Sequence, residues 1–581
     1  MAFLSGTVSG TGTLYDFTAA DPFVYLLEDA VYLCQTSNFY AIAMQVAGAQ
    51  FYVAGKVASV GYRVVVRNAV GAGITIADTG AVFGRISAID VDEMSSGVTI
   101  TNAGQVSSNG FAINVMSDNA LKLVNTGTIS TTGPTAIQLT GGFDTVRNTG
   151  TIIGDIQLGA GDDVFDNRGG TIQGSIAGGD GGDIYYVNGD ERIIEFYNGT
   201  GSDAVYASRD YALSSWIENL SLTGQARNGV GNSLANTIIG SNLGGTLTGA
   251  GGDDTISAGN GASIVYGNTG GDNLSGGAAD DAVYGGAGDD RILDYAGDNA
   301  LNGGAGNDYF DPGVDDDRID GGTGIDVVIY YAATGPVTAS LGTNTATGAG
   351  VGTDTFVSIE NLTGSTFADV LTGNTSANAL SGSEGDDLLI GGGGDDVLNG
   401  GVGADRLDGG NGVDTASYAG EFVGARVNLA TGVLAGAAAG DVLVSIENLI
   451  GSDESDIFVG TDGVNRLDGG AGNDQLTGGA GEDVLTGGAG NDQLTGGSER
   501  DVFVFTSLPN EGTAFGADTI KDFQNGTDVI SFVGNPFVHD MSDLIISKAG
   551  SALVIDIAGF GSVRVLNFAP AEVDPTDFLF G

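Results

Sequence analysis

The chain has 581 residues, of which 73 are acidic and 19 basic, giving a formal net charge of -54. So acidic a surface argues against nucleic acid and anionic lipid as partners and favours cations. Cys34 is the single cysteine, which excludes an intramolecular disulfide, and no window approaches the roughly 20 continuous apolar residues that a membrane span requires.

Residues 1–60 are apolar and aromatic and are predicted to cap the end of a solenoid, because stacked coils require covered ends. The opening "MAFLSGTVSGTGTLYDF" has no basic residue and no uninterrupted apolar segment before a cleavage site. It therefore does not predict a Sec-type signal peptide.

Residues 61–230 repeat a short turn motif. "ADTGAV", "TNAGQV", "VNTGTI", "RNTGTI" and "DNRGGTI" recur every 19 to 24 residues, separated by alternating apolar segments. Alternation predicts strands, and this period predicts the coils of a parallel β-helix. An antiparallel β-sandwich with regular hairpins is the alternative.

A nine-residue frame follows, with slots G-G-x-G-x-D-x-U-x in which U is a large apolar residue. It runs without insertion through residues 231–329, 373–417 and 460–504. Its sixth slot holds aspartate at Asp254, Asp272, Asp281, Asp290, Asp308, Asp317, Asp326, Asp387, Asp396, Asp405, Asp414, Asp474, Asp483, Asp492 and Asp501. The exceptions are Asn236, Gly245, Ser263, Asn299, Asn378 and Asn465.

Two β inserts, residues 330–372 and 418–459, separate the three blocks, and an "IENL" segment precedes each block at the same offset. The chain is therefore predicted to contain three duplicated modules. Isolated turns of the same kind give weaker candidates for the sixth slot, at Asp163, Asp183, Asp203, Asp369 and Asp456.

The nonapeptide is poor in apolar side chains and rich in glycine, so burial alone does not offset the entropy of ordering it. Its glycines permit tight turns that direct carbonyl oxygens inward, and its aspartate adds a hard anionic oxygen. Calcium binds six to eight such oxygens in flexible geometry, whereas magnesium demands a tighter octahedron. If two units form one coil, Asp474 lies opposite Asp492, and Asp483 lies opposite Asp501. We therefore predict multiple calcium sites.

These units resemble the RTX (repeats-in-toxin), or haemolysin-type, family of secreted calcium-binding proteins. The resemblance implies an all-β fold, here a parallel right-handed β-helix that continues into a calcium-binding β-roll and folds when Ca²⁺ binds outside the cell. Residues 505–581, with "GADTIKDFQNGTDVISF" and the ending "DPTDFLFG", resemble the cap and uncleaved type I secretion signal of such proteins. The type I secretion apparatus is thus an expected partner.

Known catalytic motifs of RTX enzymes are missing from the sequence. His539 is the single histidine, which excludes HExxH, and no GxSxG occurs. A β-helix polysaccharide lyase or epimerase remains the alternative, with Asp90, Asp92, Asp144 or Arg147 as participants. We expect a non-catalytic extracellular or cell-surface protein, such as an S-layer-like coat, an adhesin or a matrix component. Its candidate partners are further copies of itself or a surface glycan.

Overall fold

The computed structural model describes strands 2–4, 7–10, 15–16, 23–26, 31–34 and 42–44 of the first 47 residues. It then describes residues 48–580 except 60–63, 68, 93–94, 196–200, 506–514, 536, 558–560 and 569–572. The described strands within residues 1–60, where a cap is predicted, pair in parallel like those of the coils that follow, and the other residues of that segment up to residue 47 lie outside the described part. The chain divides into two compact units, residues 1–290 and 291–581.

Unit 1 is a parallel β-solenoid whose strands stack coil on coil. One face contains, in stacking order, Ala2–Leu4, Phe23–Leu26, Gln50–Val53, Gly73–Ile76, Val98–Asn102, Leu121–Asn125, Thr145–Asn148, Val164–Asp166, Ile184–Val187, Ala204–Ala207, Asn219–Leu222, Thr237–Ile239, Thr255–Ser257 and Asn273–Ser275. The predicted all-β parallel solenoid is confirmed, and its pairing excludes the antiparallel sandwich for these coils.

Two further strand stacks complete the early coils of unit 1. The first contains Thr7–Gly10, Val31–Cys34, Lys56–Ser59, Ala81–Gly84 and Gln105–Ser108, and the second Tyr15–Asp16, Ile42–Met44, Val64–Val66, Ser87–Val91 and Phe111–Val115. The long strand Thr128–Gln138 joins both stacks, and Thr151–Ala160, Thr171–Gln173, Ser175–Asp180 and Arg192–Ile194 follow it. Another face then begins, with Tyr211–Ala212, Gly229–Val230, Thr246–Gly251, Ile264–Thr269 and Ala282–Ala287.

Coil length in unit 1 varies more widely than the period of the turn motif predicts. The coil from Ile74 to its partner Ile100 is longer than that period, chiefly because the corner between Gly73–Ile76 and Ala81–Gly84 has two residues more than the same corner of the preceding coil. The coil from Val205 to its partner Leu220 is shorter, because it adds only a two-residue strand on its other face. From Leu220 onward each coil consists of two nonapeptide lengths, as in the pairing of Leu220 with Ile238.

A buried row of asparagines fixes the register of the early coils. Asn102, Asn125 and Asn148 each donate from Nδ2 to the Oδ1 of the next asparagine, at 2.7, 2.7 and 2.6 Å, and the row ends at Asn167. All four are buried. Because a buried amide without a partner is costly, any slip in register would be penalised.

Unit 2 is also a parallel solenoid. One face stacks Arg291–Leu293, Tyr309–Asp311, Val327–Ile329, Asn361–Thr363, Ala379–Glu384, Val397–Val402, Thr415–Ser417, Asn448–Ile450, Arg466–Asp468, Val484–Thr486, Val502–Val504, Val529–Ser531 and Phe578–Leu579. A second face contains Ala300–Ala305, Arg318–Thr323, Gly352–Val357, Thr345–Gly348, Val337–Ser340, Val370–Thr372, Leu388–Gly393, Arg406–Asn411 and Val442–Val444. A third contains Val433–Gly436, Ala425–Asn428, Ile457–Val459, Gln475–Ala480, Gln493–Ser498, Gly516–Ile520, Gly561–Val565, Ala552–Ile557 and Ile545–Ala549.

Smaller elements complete unit 2. Ala471–Gly472 pairs with Ala489–Gly490, and two 3₁₀ turns span Met541–Asp543 and Pro575–Asp577. Both β inserts contain antiparallel pairs: Val337–Ser340 with Thr345–Gly348 in the first, and Ala425–Asn428 with Val433–Gly436 in the second.

Each nonapeptide buries one large apolar side chain. Leu476 pairs with Leu494 of the next coil, so two nonapeptides form one coil. Leu476, Leu485 and Leu494 are at most 1% exposed, which confirms that the eighth slot faces the core. The core thus contains one large apolar side chain per nonapeptide, and the sixth-slot side chain is buried beside it.

Candidate metal centre: two rows of buried carboxylates

The sixth-slot aspartates stack directly on one another. The backbone N–H of Asp474 donates to Oδ1 of Asp492 at 2.8 Å, and Asp456 donates in the same way to Asp474. The N–H of Asp483 donates to Oδ1 of Asp501 at 3.1 Å. Each aspartate thus accepts from the residue one coil earlier, and the aspartates form rows along the corners of the coils.

Unit 2 has two such rows. In the first, here called row A, the backbone N–H of each member donates to the carboxylate of the next within three segments. These segments are Asp308, Asp326 and Glu360; Asn378, Asp396, Asp414 and Glu447; and Asn465, Asp483, Asp501 and Asp528. The second, row B, has three segments: Asn299, Asp317 and Asp354; Asp369, Asp387, Asp405 and Asp441; and Asp456, Asp474, Asp492 and Asp518.

Unit 1 has one long row of the same kind. It joins Asp144, Asp163, Asp183, Asp203 and Glu218, and then Asn236, Asp254, Asp272 and Asp290. On the neighbouring corner, the N–H of Ser263 donates to Oδ1 of Asp281 at 2.6 Å. The structure thus places Asp163, Asp183 and Asp203 in line with the nonapeptide aspartates.

The first glycine of each unit makes room for the carboxylate. A Cβ added to Gly469 would lie 2.3 Å from Oδ2 of Asp474, and one added to Gly478 would lie 2.2 Å from Oδ2 of Asp483. The aspartate therefore folds back over the backbone of its own unit. This contact explains why the first slot requires glycine independently of its dihedral angles.

The second carboxylate oxygen of most row aspartates has no hydrogen-bond partner, although it is buried. This holds for Oδ2 of Asp144, Asp163, Asp254, Asp272, Asp317, Asp326, Asp387, Asp396, Asp405, Asp414, Asp474, Asp483, Asp492, Asp501 and Asp518. In the described part of the chain, none of these forms an ion pair with lysine or arginine. A buried carboxylate without a partner is strongly unfavourable, so these oxygens call for a proton or a cation.

Burial raises the pKa of these carboxyl groups in the metal-free protein. It brings the pKa of Asp474 to about 8, with further contributions from the charges of Asp492 and Asp456. The pKa of Asp254 and of Asp501 rises to about 7, again mainly through burial. Each site therefore favours neutralisation of its carboxylate.

At three sixth slots that hold asparagine, the side-chain amide donates to a backbone carbonyl of the preceding coil. Nδ2 of Asn465 donates to the carbonyl oxygen of Glu447 at 2.6 Å, and Nδ2 of Asn378 donates to that of Glu360 at 2.7 Å. Nδ2 of Asn236 contacts the carbonyls of Ile217 and Glu218. Here an amide supplies the positive partner, so these positions need no ion.

Two of the weaker candidates are satisfied by the protein itself. Oδ2 of Asp456 accepts from the N–H of Ser452 at 2.9 Å, and Oδ2 of Asp369 accepts from the N–H of Ser365. Both serine hydroxyls also contact the carboxylates. These aspartates begin the second and third segments of row B.

Beside the row of unit 1, Glu195 joins two row members in a cluster of three carboxylates. Asp183, Glu195 and Asp203 are buried and bring one oxygen each within 4.8 Å of one another. The Tyr185 hydroxyl contacts both Glu195 and Asp183. Burial raises the pKa of Asp203 to about 7 and of Asp183 to about 6. Glu195 was missed by the sequence search because it stands outside any glycine-rich turn.

Other row members were missed because the search required a full nonapeptide. Asp144, Asp354, Asp518 and Asp528 follow the shorter pattern G-x-D-x-U, and Asp441 follows G-D-x-U. Glu218, Glu360 and Glu447 are the glutamates of the three "IENL" segments, whose leucines occupy the eighth slot and are buried. The pattern x-[DE]-x-U at the coil spacing would have found them.

The side chains considered for a lyase have different surroundings. Oδ1 of Asp90 accepts from Asn114 and Ser87, and Asp92 accepts from Ser95. Asp144 lies in the buried row, whereas Arg147 is largely exposed on a strand face, 3.9 Å from Asp166.

The chemistry of the rows fits calcium. The side-chain atoms of the rows that could bind a metal ion are carboxylate and amide oxygens, the type of ligand that hard cations bind. Paired, unpartnered Oδ2 atoms at successive coils provide the anionic part of each site. Bound calcium ions would supply the missing electrostatic partner of these oxygens. The aspartates that would hold them are Asp272, Asp387, Asp396, Asp405, Asp414, Asp474, Asp483, Asp492 and Asp501.

Comparison with known proteins agrees with this geometry. The family model of the RTX calcium-binding nonapeptide repeat (four copies) matches residues 266–293, 294–328, 358–389, 381–416, 450–485 and 468–503. A comparison with curated proteins gives no match.

Two solved structures are similar over part of the chain. One is a solution structure of the R3 subunit of a mannuronan C5-epimerase from Azotobacter vinelandii, with 31% identity, covering 22% of this chain and 80% of that one, at a TM-score of 0.18. The other is an extracellular lipase from Serratia marcescens, with 18% identity, covering 37% of this chain and 40% of that one, at a TM-score of 0.17.

The class of the molecule follows from the stacked coils and the matched repeats. It is a parallel β-solenoid protein with calcium-binding nonapeptides. More particularly, it is an RTX-type repeat protein. Among the described residues, no helix has the length and apolar character to cross a membrane.

Proposed function

We propose that the chain is a secreted, calcium-dependent structural protein whose nonapeptide rows fold around several calcium ions after export. The observation that carries the proposal is the buried, unpartnered Oδ2 at successive positions of each row. Calcium bound to the folded state alone would stabilise it by mass action. At low cytoplasmic calcium the acidic rows would disfavour folding, which keeps the chain competent for export.

The titration of calcium-free protein tests this function. We expect several calcium ions per chain, counted by native mass spectrometry, and weaker binding of magnesium because the rows offer flexible oxygen ligands. The double variant Asp474→Asn and Asp483→Asn should bind fewer ions, whereas the exposed Asp453→Asn should bind as many as the original chain. An unchanged count in the double variant would reject the rows as the binding site.

We assign export to a type I system through the C-terminal region. Phe578–Leu579 pairs with Val529–Ser531 as the final coil of unit 2, and Phe578 is buried. In the folded chain Asp577 and Phe578 of this segment are buried, whereas Asp574, Pro575, Thr576 and Leu579 are exposed. In the unfolded chain all of these residues would be accessible. Removal of all residues after Phe532 should retain the protein inside cells expressing the secretion apparatus, and normal export of that truncation would contradict the assignment.

For the extracellular role we favour a non-catalytic coat, adhesin or matrix component, assembled from copies of itself or bound to a surface glycan. The support is that Asp144 is held in the buried carboxylate row and that Asp90 is bonded to Asn114 and Ser87, as structural carboxylates are. Electron microscopy after addition of calcium should show lattices or filaments, with no depolymerisation of acidic glycans. Monodisperse particles that cleave or epimerise such glycans would replace this role with an enzymatic one.

A further inference from the structure

The three segments of row B end in different ways. In the first two, a tyrosine hydroxyl satisfies the last carboxylate: Tyr330 donates to Oδ2 of Asp354 at 2.9 Å, and Tyr418 donates to Oδ2 of Asp441 at 3.2 Å. Both tyrosines are buried. These two row ends therefore carry a neutral partner provided by the protein.

The third segment has a phenylalanine at the equivalent position. Phe505 stands four residues after Asp501, as Tyr418 stands four residues after Asp414. Its backbone makes the same contact, because the N–H of Phe505 donates to Ser531 at 2.9 Å as that of Tyr418 donates to Ile450. Phe505 is 2% exposed and packs against Phe515 and Phe532. It has no hydroxyl to offer.

Asp518, the last member of this segment, keeps an unpartnered oxygen. It is 1% exposed, its Oδ1 accepts from the N–H of Asp492 at 2.9 Å, and its Oδ2 accepts from no N–H or O–H, although its carboxyl lies within hydrogen-bonding reach of the Asp492 carboxyl. Oδ2 of Asp492, one coil earlier, is likewise buried and unpartnered. The next coil places Val563 beside Asp518, so the row ends there.

We propose that Asp492 and Asp518 bind a further calcium ion, beyond the last nonapeptide. The ion would join strand Gly516–Ile520 of the C-terminal region to strand Gln493–Ser498 of the last block, which already pair through Leu494 and Ile520. The matched repeats end at residue 503, so this site lies partly outside them. The proposal rests on calcium binding by the nonapeptide rows and extends it to the attachment of the cap.

Two variants of the full chain test the site, one by removing a ligand and the other by adding a competing hydrogen-bond donor. Asp518→Asn replaces the ligand with the amide that the fold already uses at Asn378 and Asn465. Phe505→Tyr leaves Asp518 in place and supplies the hydroxyl present in the other two modules. The control is Asp556→Asn, which removes the same charge from an exposed position of the C-terminal region.

Native mass spectrometry in calcium should count one ion fewer in D518N and in F505Y than in the original chain and D556N. Hydrogen exchange provides a second readout, because the amides of Thr519 and Lys521 bond to the carbonyls of Asp492 and Leu494. Their calcium-dependent protection should fall roughly tenfold or more in both variants.

The ion counts and the amide protection distinguish failure of the Asp492–Asp518 site from failure of calcium binding by the whole chain. If the original chain binds no calcium, both fail. If it binds calcium and both variants keep its ion count and its protection at Thr519 and Lys521, the Asp492–Asp518 site alone is rejected. If D518N does not fold, F505Y decides the question, since it retains every carboxylate.

Discussion

The sixth slot decides how each corner of the solenoid is neutralised. Aspartate presents one oxygen to the N–H of the preceding coil and leaves the other unpartnered, as at Asp474 and Asp483. Asparagine bonds differently: Oδ1 of Asn465 accepts from the N–H of Thr461 in its own unit, and its Nδ2 donates to the carbonyl oxygen of Glu447 one coil earlier, where it replaces the missing cation. A one-atom difference therefore separates a binding corner from a closed one.

Conversion of a closed corner should create a site. We predict that Asn465→Asp binds one additional calcium ion by native mass spectrometry. Its folding should require more calcium than that of the original chain, because it loses about 1–3 kcal/mol when the amide bond to Glu447 is removed and a buried acceptor is left unpaired. Asn473→Asp is the matched control at an exposed position of the same block. Equal ion counts in the two variants would argue against this account of the sixth slot.

The raised pKa values predict an unusual pH dependence for the calcium-free protein. The pKa of Asp474 rises to about 8 and those of Asp387 and Asp501 to about 7, whereas an unfolded aspartate titrates near 3.8. The folded state therefore binds more protons between these values, and its stability falls as pH rises from about 4 to about 8. Far-UV circular dichroism in EDTA should show β-sheet content that is highest near pH 4 and falls toward pH 8. Saturating calcium should weaken or reverse the trend, and β-sheet content that rises with pH in EDTA would be inconsistent with protonated row carboxyls.

At the scale of elements, the coil is set by glycine contacts as much as by strand pairing. The first-slot glycine lies under the carboxylate of its own unit, so its missing Cβ is part of the binding corner. The antiparallel pairs of the two β inserts separate the segments of row B. In row A the segments meet instead at Asn378 and Asn465, whose Nδ2 atoms donate to the carbonyls of Glu360 and Glu447 one coil earlier. Each module thus adds surface loops without breaking the stack.

We predict that Gly469→Ala displaces the Asp474 carboxylate, because the new Cβ would lie 2.3 Å from Oδ2. The expected cost is about 1–3 kcal/mol, typical of overpacking, with a weaker calcium response of Tm. Gly463→Ala is the control within the same block, since its nearest contact would be Thr461 Oγ1 at an ordinary 3.5 Å. Differential scanning calorimetry with and without calcium compares them, and indistinguishable profiles would remove the steric role of the first slot.

At the scale of the whole molecule, the charge of -54 and the thin core have one explanation. A nonapeptide that buries one leucine does not offset its own ordering entropy, and the stacked carboxylates add repulsion. Bound calcium offsets both. An unfolded chain in low calcium and a folded one in high calcium are then two states of the same sequence.

The sequence was sufficient to predict the parallel coils and most of the row aspartates, but not every residue of the rows. The nine-residue frame predicted the parallel coils and the inward Leu476, Leu485 and Leu494. It did not assign Glu360 and Glu447, because glutamate departs from the frame although it fills the same slot. Nor could it pair Tyr418 with Asp441, because that contact crosses the second β insert and depends on how the insert returns.

The central claim is that calcium supplies free energy without which the rows do not fold, and far-UV circular dichroism during a calcium titration tests it most directly. Starting from EDTA-treated protein, we predict a low β-sheet signal that rises cooperatively as calcium approaches millimolar concentration, with reversal on addition of chelator. The same β-sheet signal and the same Tm in EDTA and in millimolar calcium would contradict the account.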